Sequence, residues 1–129
     1  MPAPAATKYS WSTVPREQLN PALSRQIVTG KEVMVAHVYL KAGCVVPKHH
    51  HANEQVTYIL SGALRLWVGD KVDSQNDADG VVVRAGELLV IPSNVPHRAV
   101  ALEDTLDLDV FAPPRQDWLS GTDDYLRQK

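Results

Sequence analysis

The chain has one cysteine, Cys44, in 129 residues. That excludes an internal disulfide framework and leaves the fold to its apolar core. No apolar run approaches the roughly 18 residues of a membrane-crossing helix. Basic residues are not in excess: 13 Lys and Arg against 15 Asp and Glu give a formal charge of -2, so an electrostatic footprint for nucleic acid is missing. The opening Met1-Pro2-Ala3-Pro4-Ala5-Ala6-Thr7 lacks the basic start of a signal peptide and is broken by prolines. It reads as a flexible tail over residues 1–7. No internal repeat is present. What remains is the expectation of one cytoplasmic globular domain spanning residues 1–129.

Nine prolines and seven glycines punctuate the chain between short apolar runs. That is the spacing of strands, not of long helices. Runs at 26–28, 32–40, 56–60, 63–68, 81–83, 88–91, 98–102 and 106–111 are rich in Val, Ile, Leu and aromatics. They predict an all-β sandwich or barrel with a core over about 24–112. Ser12 to Glu17 can start a helical turn, and Arg115 to Lys129 can hold one short helix. Asp70 to Gly80 is acidic and reads as a long hairpin loop without the spacing or closing Glu of a calcium loop.

Of five histidines, three are consecutive: His49, His50 and His51. On an extended segment His49 and His51 share a face and His50 points away. Gln55 follows, and His97 stands far downstream after the stiff turn Pro92 to Pro96. Three imidazoles and the Gln55 side-chain oxygen can form a metal site, and imidazole suits Zn, Fe, Ni, Cu or Mn alike. A solvated surface cluster is the alternative for a triple histidine. In 106–111, Asp107, Asp109 and Phe111 share one parity and Leu106, Leu108 and Val110 the other. The aspartates need water, a partner charge or a metal-bound ligand, and an outward solvated face is the competing reading. Tyr58 and Trp67 read as core, His37 as structural and Cys44 as inert.

At these residues the sequence resembles the cupin superfamily. Gly43, five residues, His49, His51, three residues, Gln55, six residues and Gly62 follow the first cupin motif, with Gln55 where that motif carries Glu. Gly86, Pro92, Asn94, His97 and Ala101 follow the second, with Asn94 and Ala101 replacing its Gly and Asn. The resemblance implies a double-stranded β-helix, a jelly-roll-like barrel with short terminal helical segments. It also implies a divalent transition metal (Ni, Zn, Fe or Mn). A neutral Gln55 leaves the ion its full charge, which suits Lewis-acid work on an anion. Glu54 is the neighbouring candidate, and alternation lets only one of the two face the metal.

Glu54 to Gly62, Ile91 to His97 and Leu108 to Leu119 are similar to the small pectin-degradation (KdgF-like) cupins. That likeness implies His49, His51, Gln55 and His97 as ligands and Asp109, Phe111 and Arg115 as the catalytic pocket. The implied activity opens 4,5-unsaturated uronates to linear 5-keto-4-deoxyuronate. Arg115 would orient the carboxylate, Asp109 move a proton and Phe111 form an apolar wall. A metal-dependent dioxygenase of a phenolic or diketone substrate and a non-enzymatic small-ligand binder are the alternatives. The implied partners are a small, anionic substrate and a second copy of the chain, with Tyr9 to Trp11 as a strand to pair across a homodimer.

Overall fold

Short strands separated by Gly and Pro turns form two antiparallel sheets in the computed structural model, which describes residues 3–127. In chain order the strands are β1 (Glu17–Asn20), β2 (Leu23–Thr29), β3 (Met34–Leu40), β4 (Val45–His49) and β5 (Glu54–Ser61). They continue with β6 (Ala63–Val68), β7 (Val81–Arg84), β8 (Leu88–Ile91), β9 (His97–Ala101) and β10 (Thr105–Ala112). One sheet runs β1-β2-β3-β10-β5-β8 and the other β4-β9-β6-β7. This is the all-β architecture expected from the spacing, in the jelly-roll-like form that the cupin resemblance implied. A short helix α1 (Gln116–Ser120) and a 3-10 turn at Asp124–Leu126 follow β10.

Strict alternation builds the core. In β3, Met34, Ala36, Val38 and Leu40 are buried while Val35, His37 and Tyr39 are not. Their inward faces meet Ile59, Leu64, Leu66, Ala99 and Phe111 from both sheets. Positive φ falls where tight turns need it: Gly43 at +83°, Gly62 at +90° and Gly86 at +86°. Asn94, at φ +63°, fills the motif's Gly position with a residue that tolerates the left-handed region.

Residues 70–80 do connect a hairpin, β6 to β7, and fold into two 3-10 turns. The N-terminal expectations change. Residues 11–14 form a turn, with Thr13 and Val14 N–H donating to Ser10 O, and Glu17 begins β1; no helix starts at Ser12. Tyr9 to Trp11 form no strand. Instead Trp11 stacks on His37 with ring centroids 3.7 Å apart, and the Gln26 amide ties the Trp11 and Val14 carbonyls down at 2.7 and 2.8 Å. Of the expected tail, residues 1–2 lie outside the described residues, and 3–7 run exposed without regular structure.

Candidate metal centre and its cavity

Two sheets bring three distant histidines to one point. Val46 and His49 both face inward although alternation would separate them, because a register shift between Val46 and His49 inserts the extra residue. His49 then lies opposite His97 of β9. His51 follows in the connection to β5, clamped where Asn94 N–H donates to its carbonyl at 2.8 Å. The candidate donor atoms of His49, His51 and His97 all lie within 4.8 Å of one another. His50 is exposed, as parity predicted.

Each ring is fixed by its Nδ1, which donates to a backbone carbonyl: His49 to Pro47 at 2.7 Å, His51 to Asn53 at 3.0 Å and His97 to Val95 at 2.9 Å. The Nε2 atoms therefore carry lone pairs. His97 Nε2 is buried with no partner. His51 Nε2 faces Gln55 Oε1 at 3.1 Å, two acceptors toward each other. Gln55 cannot turn to relieve this, because its amide nitrogen is committed to Thr57 Oγ1 at 2.9 Å. Converging lone pairs without a donor fit a cation, so three histidines stand positioned to hold a metal. Glu54 is exposed and Gln55 buried, so the amide and not the carboxylate faces the histidines. Burial, then the neighbouring His97, lowers the His49 pKa to about 3. Burial and then Arg115 lower His51 to about 4, and burial lowers His97. Neutral imidazoles bind a metal with no proton to displace.

Beside them, β10 turns its aspartates inward. Asp107 and Asp109 are 4% and 5% exposed, and Leu106, Leu108 and Val110 form the outer, half-buried face. The solvated-face reading of the aspartates therefore fails. The Thr57 hydroxyl donates to Asp109 Oδ1 at 2.8 Å, completing a chain from Gln55. Burial pushes both carboxyls up; for Asp107 the neighbouring Asp109 adds to it, whereas Asp107, Thr57 and Arg115 pull Asp109 back. Asp107 Oδ1 has no partner among the described residues. Phe111 packs against His51 and Trp118, with centroids at 5.8 and 4.9 Å.

Arg115 is 2% exposed. Its Nε and Nη2 grip Asp117 at 2.9 and 2.8 Å, and Nη2 also donates to the Tyr125 hydroxyl at 2.8 Å. Tyr125 in turn stacks on His49, centroids 4.5 Å apart. The segment carrying it is pinned by Asp123, which receives Arg25 at 2.5 Å and Arg127 at 2.9 Å, and by Asn20, which donates to Leu126 O. Sequence reading singled out neither Tyr125 nor Asp117 for the site; an Asp two residues after a candidate arginine was the one local signal. Trp67 is buried as expected, and Cys44 is buried with its thiol pKa raised by burial; Tyr58, read as core, is instead half-buried on the outer face, because its parity in β5 is opposite to that of Gln55, Thr57 and Ile59. No described helix is long and apolar enough to cross a membrane.

Residues 36–112 match the sequence profile of the Cupin domain family. The fold is similar to KdgF from Halomonas sp., at 25% identity and a TM-score of 0.77, covering 88% of this chain and 99% of that one. An RmlC-like cupin from Shewanella frigidimarina NCIMB 400 superposes with a TM-score of 0.76 at 25% identity, covering 88% and 96%. An oxalate decarboxylase of Bacillus subtilis shares the fold, with a TM-score of 0.72 at 22% identity over 95% of this chain and 36% of that one.

Proposed function

The chain belongs to the Cupin domain family, and from that premise we propose that it is a metal-dependent enzyme converting a 4,5-unsaturated uronate to the linear 5-keto-4-deoxyuronate. The observation that carries the proposal is the neutral donor set of His49, His51, His97 and Gln55 with a buried carboxylate and a buried arginine beside it. A bound divalent ion (Ni, Zn, Fe or Mn) supplies Lewis acidity, undiminished by any anionic ligand. Arg115 orients the substrate carboxylate. Asp109, held by Thr57, takes the proton of the anomeric hydroxyl as the ring C–O bond breaks and returns one to C4 as the enol becomes a ketone. The reaction is an isomerisation, so atoms and electrons balance with no co-reactant. Phe111 excludes water from one side. The partly open cavity of ≈ 60 Å³ has room for a few waters, which favours a small molecule over a polymer.

The reading includes a homodimer and a cytoplasmic setting. Leu88 and Val90, 59% and 58% exposed on the outer face of the larger sheet, support the first, and the lone Cys44 thiol suits a reducing compartment. The test is protein loaded in turn with each metal and mixed with an unsaturated galacturonate. The expected result is loss of the unsaturated chromophore without oxygen uptake. His97→Ala should retain about a hundredfold less metal affinity or worse, and lose turnover with it. Oxygen consumption would instead indicate a dioxygenase, and ligand binding that needs no metal a binding module; either result overturns the proposal.

A further inference from the structure

The cavity has one wall made of donors without acceptors. Arg115 uses Nε and one Nη2 hydrogen on Asp117 and its other Nη2 hydrogen on Tyr125. Both Nη1 hydrogens have no acceptor among the described residues. Because the edge toward Nε is taken by Asp117, the hydrogen given to Tyr125 lies on the edge shared with Nη1. A ligand cannot take that edge bidentately while Tyr125 holds it. The Tyr125 oxygen accepts from Arg115, which leaves its own hydrogen to donate, and the described residues offer it no acceptor. The indole N–H of Trp118, on a residue 7% exposed and lining the same cavity, lies beside the Tyr125 oxygen without making a regular hydrogen bond to it.

Donors left without acceptors when a ligand covers this wall are costly unless the ligand brings the acceptors. A carboxylate offers about four lone-pair sites, enough for Nη1, the phenol and the indole together. The floor has the opposite character, since Asp107 Oδ1 is an unpaired acceptor. We infer that Arg115, Tyr125 and Trp118 form a carboxylate subsite in which the Tyr125 hydroxyl takes the place of the second guanidinium contact, orienting an anionic ligand with its hydroxyls toward Asp107. The inference rests on the proposed uronate reading and adds Tyr125 as the residue that selects acid over ester.

Tyr125→Phe keeps the ring on His49 and removes only the hydroxyl. On metal-loaded protein, affinity for D-galacturonate and for its methyl ester is measured by calorimetry, with metal content and melting temperature as controls. The wild type should prefer the acid. Tyr125→Phe should bind the acid about ten- to a hundredfold more weakly, bind the ester as before, and keep its metal. Equal loss for acid and ester, unchanged acid affinity, or a wild type that does not distinguish the two would each overturn the inference. A wild type that selects the acid yet leaves the unsaturated uronate intact refutes the reaction and leaves the subsite standing. Turnover that is untouched by Tyr125→Phe does the reverse.

Discussion

Strand β10 and the loop at residues 70–80 both carry aspartates, and they use them in opposite ways. The loop has four, Asp70, Asp73, Asp77 and Asp79; the first three are exposed and Asp79 is half-buried. Their ion pairs, Lys48–Asp73 at 3.0 Å, Arg65–Asp77 at 3.5 Å and Lys71–Asp79 at 3.6 Å, are surface pairs of little worth. The loop's shape comes from other groups. Arg98 stacks on Trp67 and donates to the Val72 and Ser74 carbonyls, and the Trp67 indole donates to Asn76 O. In β10 only two aspartates occur, but the barrel takes both out of water. Charge density along a chain is thus no guide to chemistry; desolvation decides which carboxylate has an altered proton affinity.

The largest effect that sharpens this contrast is at Asp109. Asp109→Ala should lower turnover by about 10²- to 10⁴-fold while leaving bound metal unchanged, read by steady-state kinetics beside metal analysis. A drop in metal content of the same size would make Asp109 a structural support of Gln55 instead.

A smaller effect is the pH response of the metal-free protein. His49 and His51 have folded-state pKa values near 3 and 4, below the ordinary 6.5. Above 6.5 both states are neutral there and nothing is lost. As pH falls from 6.5 toward 4, the unfolded chain takes up protons that the folded one refuses, so stability declines. The carboxyl pair works the other way: its raised pKa values leave stability whole below the ordinary 3.8 and reduce it as pH rises beyond. The two oppose each other between pH 6.5 and 4, so the histidine part is read as a difference: melting curves of apo His49→Ala should lose less stability on acidification than those of the wild type, and an unchanged slope in that variant would refute the assignment.

Smallest of all should be the loop. Asp73→Asn and Asp77→Asn should each change stability by less than about 0.5 kcal/mol and leave turnover unaltered. A measurable loss of activity from either would erase the distinction between the two regions.

Local parity made much of this legible. It separated His50 from its neighbours, and Asp107, Asp109 and Phe111 from the apolar side of β10. The motif resemblance located Gly43, Gly62, Gly86 and Asn94. What parity does not reveal is which face of a strand is buried. In β10 Leu106, Leu108 and Val110 are the outer, half-buried residues, while Asp107, Asp109 and Phe111 face a cavity whose other walls are largely apolar. Nor does parity foresee the extra residue that re-aims His49, which depends on pairing with β9. Tyr125 and Asp123 were invisible for a different reason. Their roles come from Arg25, Arg115 and His49, partners brought together only by folding. The turn at residues 11–14, read as a helix start, is set by the Gln26 amide beneath it.

The pairing of β10 has a consequence for how this chain can vary. Thr57 faces Asp109, Gln55 faces Phe111, and β3 holds the other edge with Ala36 across from Asp109. A single residue added to or removed from the turn at 102–104 would export Asp107, Asp109 and Phe111 to the outside and import Leu106, Leu108 and Val110. Alternation and strand pairing would survive the exchange, but Phe111 would leave the core and the inward carboxylates would be lost. Spelling is negotiable along this strand, but counting is not.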